Sequence, residues 1–162
     1  RLETLQQNFE RLGLSSDIVQ ADIENWKPGE LADAVLLDAP CSATGTIRRH
    51  PDIPHLKQLE GVRRMAKIQS RLVASAARMV RPGGHLIYAV CSMQPEEGAR
   101  VVNKFLLANT EFSRDPLQEY DHGIPSDFRT KNGDIQTLPC HWPELGGLDG
   151  FFAARLVRHA AT

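Results

Sequence analysis

Apolar residues open the chain at Leu2, Leu5, Phe9 and Leu12, and Gly13 follows them. That spacing predicts an amphipathic helix that stops at the glycine. Asp17 to Ala21 predicts a short strand with Asp22 at its end, and Trp26-Lys27-Pro28-Gly29 predicts a turn. The run Ala34-Val35-Leu36-Leu37 is continuous rather than alternating, so it predicts a buried strand over Asp33–Asp38. Pro40 has no N–H to donate and cannot continue a central strand. A loop then runs to about Pro54. From Leu59 to Val80 the residues Val62, Met65, Ile68, Leu72, Ala76 and Met79 follow a helical period. Arg81-Pro82-Gly83-Gly84 predicts the stop of that helix. Gly84 to Val90 predicts a second strand. Pro95-Glu96-Glu97 then places a proline and two acids where a helix N-terminus favours them, predicting a helix through Leu107.

Beyond Leu107 the pattern weakens. Glu111–Asp115 and Asp134–Leu138 are candidate strands, and Leu117 to Gly133 is mostly polar and predicts a loop. Asp149-Gly150 is a turn, and Phe151 to Val157 predicts a last strand. Strands alternating with helices, followed by closely spaced strands, predict an α/β sheet with an antiparallel finish. The chain holds no repeat and no low-complexity segment.

Two of the predicted strands end alike. Asp33–Asp38 runs into Asp38-Ala39-Pro40-Cys41-Ser42-Ala43-Thr44-Gly45, and Gly84–Val90 runs into Cys91-Ser92. Ligands of open α/β sheets sit at the carboxyl ends of strands. If the two strands are parallel neighbours, both thiols emerge on one rim and face one pocket.

Composition narrows the picture only a little. The 162 residues suit one domain, and 41% hydrophobic content supports a core of ordinary size. A net charge of −1 means that any nucleic-acid surface is a local patch rather than the whole chain. Arg48-Arg49-His50 is such a patch, and Lys57, Arg63, Arg64 and Lys67 add charge nearby. Three cysteines do not suggest a disulfide framework, and thiols at strand ends point to a reducing, cytoplasmic setting. No apolar run approaches a membrane span, and no signal peptide is visible. A metal site needs about four ligands, and neither thiol has a Cys or His at ligand spacing, so no metal is expected. The chain opens inside a predicted helix and without Met, which suggests a piece of a longer protein.

Several motifs carry a family resemblance. Asp38-Ala39-Pro40-Cys41-Ser42-Ala43-Thr44-Gly45 with Ile47-Arg48-Arg49-His50-Pro51-Asp52 resembles the fourth motif of the RNA cytosine-C5 methyltransferases. Cys91-Ser92 with Pro95-Glu96-Glu97-Gly98 resembles their sixth, and Asp149-Gly150-Phe151-Phe152-Ala153 their closing strand. The nearest group is the bacterial 16S rRNA methyltransferase B type, and the likeness runs from about Ser16 to Arg158. It implies an α/β, Rossmann-like class I methyltransferase sheet dependent on S-adenosylmethionine, with an antiparallel last strand. The family's glycine-rich cofactor loop and N-terminal RNA-binding domain are not in this sequence. The segment would then be the C-terminal portion of one catalytic domain, lacking its first strands and inactive alone. Ala89-Val90 stands where the family more often has Cys-Thr or Ser-Thr.

The implied reaction methylates C5 of a cytosine in 16S rRNA. C5 is a poor nucleophile until a thiolate adds to C6, and a base must later remove the C5 proton. By resemblance Cys91 is the nucleophile and Cys41 assists product release. The sequence alone does not order them, and in the DNA enzymes the Pro-Cys thiol attacks. Asp38 is expected at the cofactor, at the base edge, or between both, and Asp22 at the cofactor's adenine. A turn or capping role is the plain alternative for each acid. Arg48, Arg49 and His50 are expected at RNA phosphates, or else form a solvated loop. Ser42 and Ser92 lack a Gly-x-Ser-x-Gly surround and read as turn residues, while Cys140 reads as structural. A methyltransferase of tRNA or another RNA would share these motifs, and a non-catalytic RNA-binding relative is the reading of a different class. Oligomeric state is not legible.

Overall fold

The computed structural model describes residues 2–118 and 123–160. Its elements in chain order are α1 (Leu2–Leu12), β1 (Ala32–Asp38), α2 (Ile53–Leu56), α3 (Leu59–Ala77), β2 (Val80–Val90), α4 (Ala99–Ala108), β3 (Phe112–Arg114), β4 (Ile135–Thr137) and β5 (Phe151–Arg158). Three single 3-10 turns fall at Thr44–Thr46, Ser126–Phe128 and Pro143–Leu145. The sheet order is β1-β2-β5-β3, and β4 also pairs with β5. β2 takes one edge of β5, so β3 and β4 lie end to end along the other. Only β1 and β2 are parallel; every pairing with β5 is antiparallel. The expected α/β sheet with an antiparallel finish is present.

One face of this sheet makes the core. Val35 and Leu37 of β1, Leu86, Tyr88 and Val90 of β2, and Phe152, Ala154 and Leu156 of β5 point to it. They meet Val73, Ala76 and Ala77 of α3 and Val101, Val102 and Phe105 of α4. Alternation along each strand follows from the two-residue period of a pleated chain. Leu36 therefore faces away from the core, 68% exposed. β1 is the edge of the sheet, with no neighbour on its outer side among the described residues.

Four expectations change. Asp17–Ala21 is not a strand: β1 pairs with β2 alone, so that stretch has no ladder to join. α3 buries Val62, Gln69, Val73 and Ala76, while Met65, Ile68 and Leu72 are only half-buried. The buried stripe is thus rotated from the apolar one, and a polar residue lies in its middle. The predicted turn Arg81-Pro82-Gly83-Gly84 is a bulge inside β2. Ala32 pairs with Val80, yet Ala34 already pairs with His85, so residues 81–84 loop out between. The helix expected from Pro95 begins at Ala99, after a turn over residues 95–98. The polar stretch Leu117–Gly133 carries one 3-10 turn, and its residues 119–122 lie outside the described ones.

Candidate active site

Parallel pairing brings the two Cys-Ser ends together. Asp38 is paired with Ala89 at the last rung of β1 and β2, and the Ala39 N–H extends the ladder to the Ala89 carbonyl at 3.0 Å. Cys41 and Cys91 follow within three residues of that rung. Their sulfurs stand 3.4 Å apart. Both thiols are free and half-buried. Gly45 then sews the loop down. Its N–H donates to the Cys91 carbonyl at 3.0 Å, and its carbonyl accepts from the Gly150 N–H at 2.7 Å. A Cβ on Gly45 would lie 1.7 Å from the Gly150 oxygen, so the approach of the two backbones requires glycine.

Beneath the thiols lies a buried polar cluster that the sequence did not announce. Glu97 is wholly buried. Its Oε1 accepts from the Ser42 backbone N–H at 2.8 Å and from Gln69 Nε2 at 3.2 Å. Its Oε2 accepts from Ser42 Oγ and Ser92 Oγ, each at 2.5 Å. The Glu97 backbone carbonyl accepts from the Tyr88 hydroxyl at 2.5 Å. Gln69 also donates to the Pro40 carbonyl at 2.9 Å, and Thr44 Oγ1 lies 3.1 Å from Ser92 Oγ. A buried carboxylate is tolerable only when donors replace its water, and here four do. The neighbouring Glu96 does something different: it pairs with Arg100 at 2.7 Å on the surface. Two adjacent glutamates in one motif look alike in sequence, and only burial separates them. Gln69 carried no signal either, because a lone polar residue on a helix reads as surface.

Burial pushes the Cys41 thiol up to about 12, opposed by the Ala43 backbone N–H and reinforced by Cys91 and the charge of Glu97. Cys41 therefore keeps its proton near neutral pH. Burial likewise pushes the Tyr88 hydroxyl upward, so it stays a donor.

The remaining expected residues are placed as follows. Asp38 is exposed at the end of β1, with no hydrogen bond or ion pair from its carboxylate among the described residues. It is free to accept from a ligand at the sheet edge. Asp22 caps a turn: its carboxylate accepts from the Glu24 N–H at 3.0 Å and from Asn25 Nδ2 at 2.7 Å. Among the described residues no hydrogen bond or ion pair joins it to Asp38 or to the thiols. Arg49 is engaged inside the chain, with its Nε and NH2 2.7 and 2.6 Å from Asp149. Arg48 lies 3.7 Å from the same carboxylate. This pair ties the loop after Cys41 to the turn before β5, a role the charge pattern did not suggest. The Arg49 guanidinium holds the Asp149 carboxyl below its usual range. His50 is exposed on the same loop.

A cleft of about 770 Å³ opens on Cys41 and Ser42 and runs along the N-terminal half of α3. Lys57, Arg63, Arg64 and Lys67 line it, all exposed, and none makes an ion pair among the described residues. The described residues include no cluster of three or more metal-ligating side chains, and no helix is long and apolar enough to cross a membrane.

Comparison with known proteins follows the same motifs. The family described as 16S rRNA methyltransferase RsmB/F matches residues 1–157. Ribosomal RNA small subunit methyltransferase B of Shewanella oneidensis is 36% identical over 98% of the chain, and that of Klebsiella pneumoniae strain 342 is 39% identical over 98%. The chain spans about a third of the length of these relatives, 35% and 34%. Among solved structures, NSun6 from Pyrococcus horikoshii with SFG superposes with a TM-score of 0.80 at 28% identity, over 99% of this chain and 39% of that one. PH0851 gives 0.78 at 33% identity, over 96% and 34%. With its paired Cys-Ser strand ends and a family match along nearly its whole length, the chain belongs to the 16S rRNA methyltransferase RsmB/F family.

Proposed function

We propose that this chain is the C-terminal portion of a catalytic domain that methylates C5 of a cytosine in 16S rRNA. In this reading the glycine-rich cofactor loop and an RNA-binding domain belong to the rest of the protein. The carrying observation is the 3.4 Å separation of two sulfurs from different strands. A single pyrimidine ring can meet both.

S-adenosylmethionine, when bound, supplies an electrophilic methyl group; a solved relative in fold carries SFG, its analogue. Asp38 would hold a polar group of that cofactor, the edge of the base, or both, since its carboxylate is exposed and unpaired at the rim. Asp22 would contact the adenine only with the oxygen capacity its turn leaves over. Cys91 attacks C6 as a thiolate, forming the S–C6 bond and moving an electron pair to C5. By resemblance Cys41 assists the second half of the reaction; burial keeps its proton on near neutral pH, so it serves there as a base only once that proton has been given up. There a base takes the C5 proton, the electron pair left at C5 re-forms the C5=C6 bond and expels the sulfur, and the Cys91 thiolate returns. The exposed cations along α3 would meet phosphates and position the RNA without reading its sequence. The target base must be unstacked to reach the sulfurs. Free thiols at the rim agree with the reducing cytoplasm.

The test uses the full-length protein with S-adenosylmethionine and small-subunit rRNA. Cys41→Ala is expected to accumulate a covalent RNA adduct on a denaturing gel, and Cys91→Ala to form none. An adduct that persists in Cys91→Ala would reverse the assignment of the two thiols.

A further inference from the structure

We propose that Glu97 is a positioning residue: its buried carboxylate clamps the two Cys-Ser loops so that both thiols meet one base. In its methyl-transfer part this inference rests on the proposed function above; in its thiol-geometry part it stands alone.

The geometry assigns the role in three steps. First, Ser42 and Ser92 directly follow Cys41 and Cys91, and both hydroxyls end on the same oxygen, Oε2. One atom therefore joins two loops that are fifty residues apart in sequence. Second, the partner oxygen fixes the backbone itself, taking the Ser42 N–H at 2.8 Å. Gln69 bridges from α3 to Oε1 and to the Pro40 carbonyl, so the loop is held from below as well as across. Third, the serines are buried while the cysteines are half-buried. Holding each serine inward leaves its cysteine turned outward, where the sulfurs stand in contact. Among the described residues no other side chain bonds to Ser42, to Ser92 and to the helix beneath them at once. Glu97 touches neither thiol, so it acts through the serines.

Phenylarsine oxide probes this arrangement without RNA. It condenses with two thiols, forming two As–S bonds and releasing one water, and needs sulfurs held close together. Full-length wild-type protein is expected to take up one equivalent that requires both Cys41 and Cys91. Glu97→Ala is expected to weaken that capture at least about 10-fold and to lower kcat for methyl transfer about 100-fold, the scale of a 1 Å misplacement, with KM for S-adenosylmethionine unchanged. Glu97→Gln keeps the shape and an acceptor for the Ser42 N–H, and is expected to restore most of the capture. Wild-type capture by Glu97→Ala overturns the proposal. If Glu97→Ala does not fold, the double variant Ser42→Ala with Ser92→Ala removes both serine ends of the clamp, and wild-type capture by that variant overturns the proposal instead. Absence of methyl transfer by the wild-type protein, with capture still lost in Glu97→Ala, would sink the proposed reaction and support the clamp.

Discussion

The thiol rim and the first thirty residues are built in opposite ways. At the rim, nearly every polar group is spent on another part of the chain: Glu97 on two serines, Gln69 on Pro40, Gly45 on Cys91 and Gly150. In the first thirty residues, α1 buries none of its side chains, and Asp17–Ala21 makes no ladder. The contact that anchors this stretch is local to its end, where Glu24 pairs with Arg71 at 3.1 Å and Ile23 packs against the core. Amphipathic spacing alone does not bury a helix; a facing surface must exist. Both regions show clear sequence patterns, but only the rim buries its side chains in depth; before Asp22 the described residues bury none.

Four measurements would break or sharpen that contrast. The largest effect is chemical. A thiol raised from 9.0 to about 12 holds about 1000-fold less thiolate at neutral pH than an ordinary one, so iodoacetamide at pH 8 should label exposed Cys140 long before Cys41. Peptide mass mapping over time checks the order. The linked stability is intact below pH 9.0 and is lost as the pH rises through about 12, because ionisation is resisted in the fold. Next, Leu86→Ala removes a wholly buried side chain and should cost about 3 kcal/mol in denaturant unfolding, whereas exposed Leu5→Ala should cost under about 0.5 kcal/mol. Equal costs would erase the contrast. Third, Gly45→Ala drives a Cβ into the Gly150 backbone and should cost about 2 kcal/mol, against about 1 kcal/mol for Gly13→Ala, where only the positive φ of 64° is at stake. The smallest effect is at Arg49. The Asp149 carboxyl sits below its ordinary 3.8, so its contribution is present above that pH and fades as the pH falls through the lower folded value. In Arg49→Ala most of that contribution is gone, so the melting-temperature advantage of the wild type over the variant should be present near neutral pH and shrink as the pH falls below 3.8.

The parts legible in the sequence were those fixed by local pattern plus one rule of pairing. Two apolar runs ending in Cys-Ser were enough to bring Cys41 and Cys91 together, because parallel neighbours share a rim. Gln69 and Glu97 were illegible for the converse reason. Their value lies in which groups surround them, and a helical stripe or an acidic doublet says nothing of that. The 81–84 bulge was hidden because Pro-Gly-Gly fits a turn equally well, and only the register of β1 against β2 reveals continuous pairing. Arg49 looked like a surface cation and is one, but its partner Asp149 lies a hundred residues on.

The outer side of β1 has a colloidal consequence. Among the described residues its amides and carbonyls are unpaired on that side beside the exposed Leu36, and the only charges within Ala32–Asp38 are Asp33 and Asp38 near its two ends. Such a margin is a template on which a second extended chain can add. Handled alone at high concentration, this polypeptide should aggregate from that margin first, and a lysine in place of Leu36 should keep it in solution.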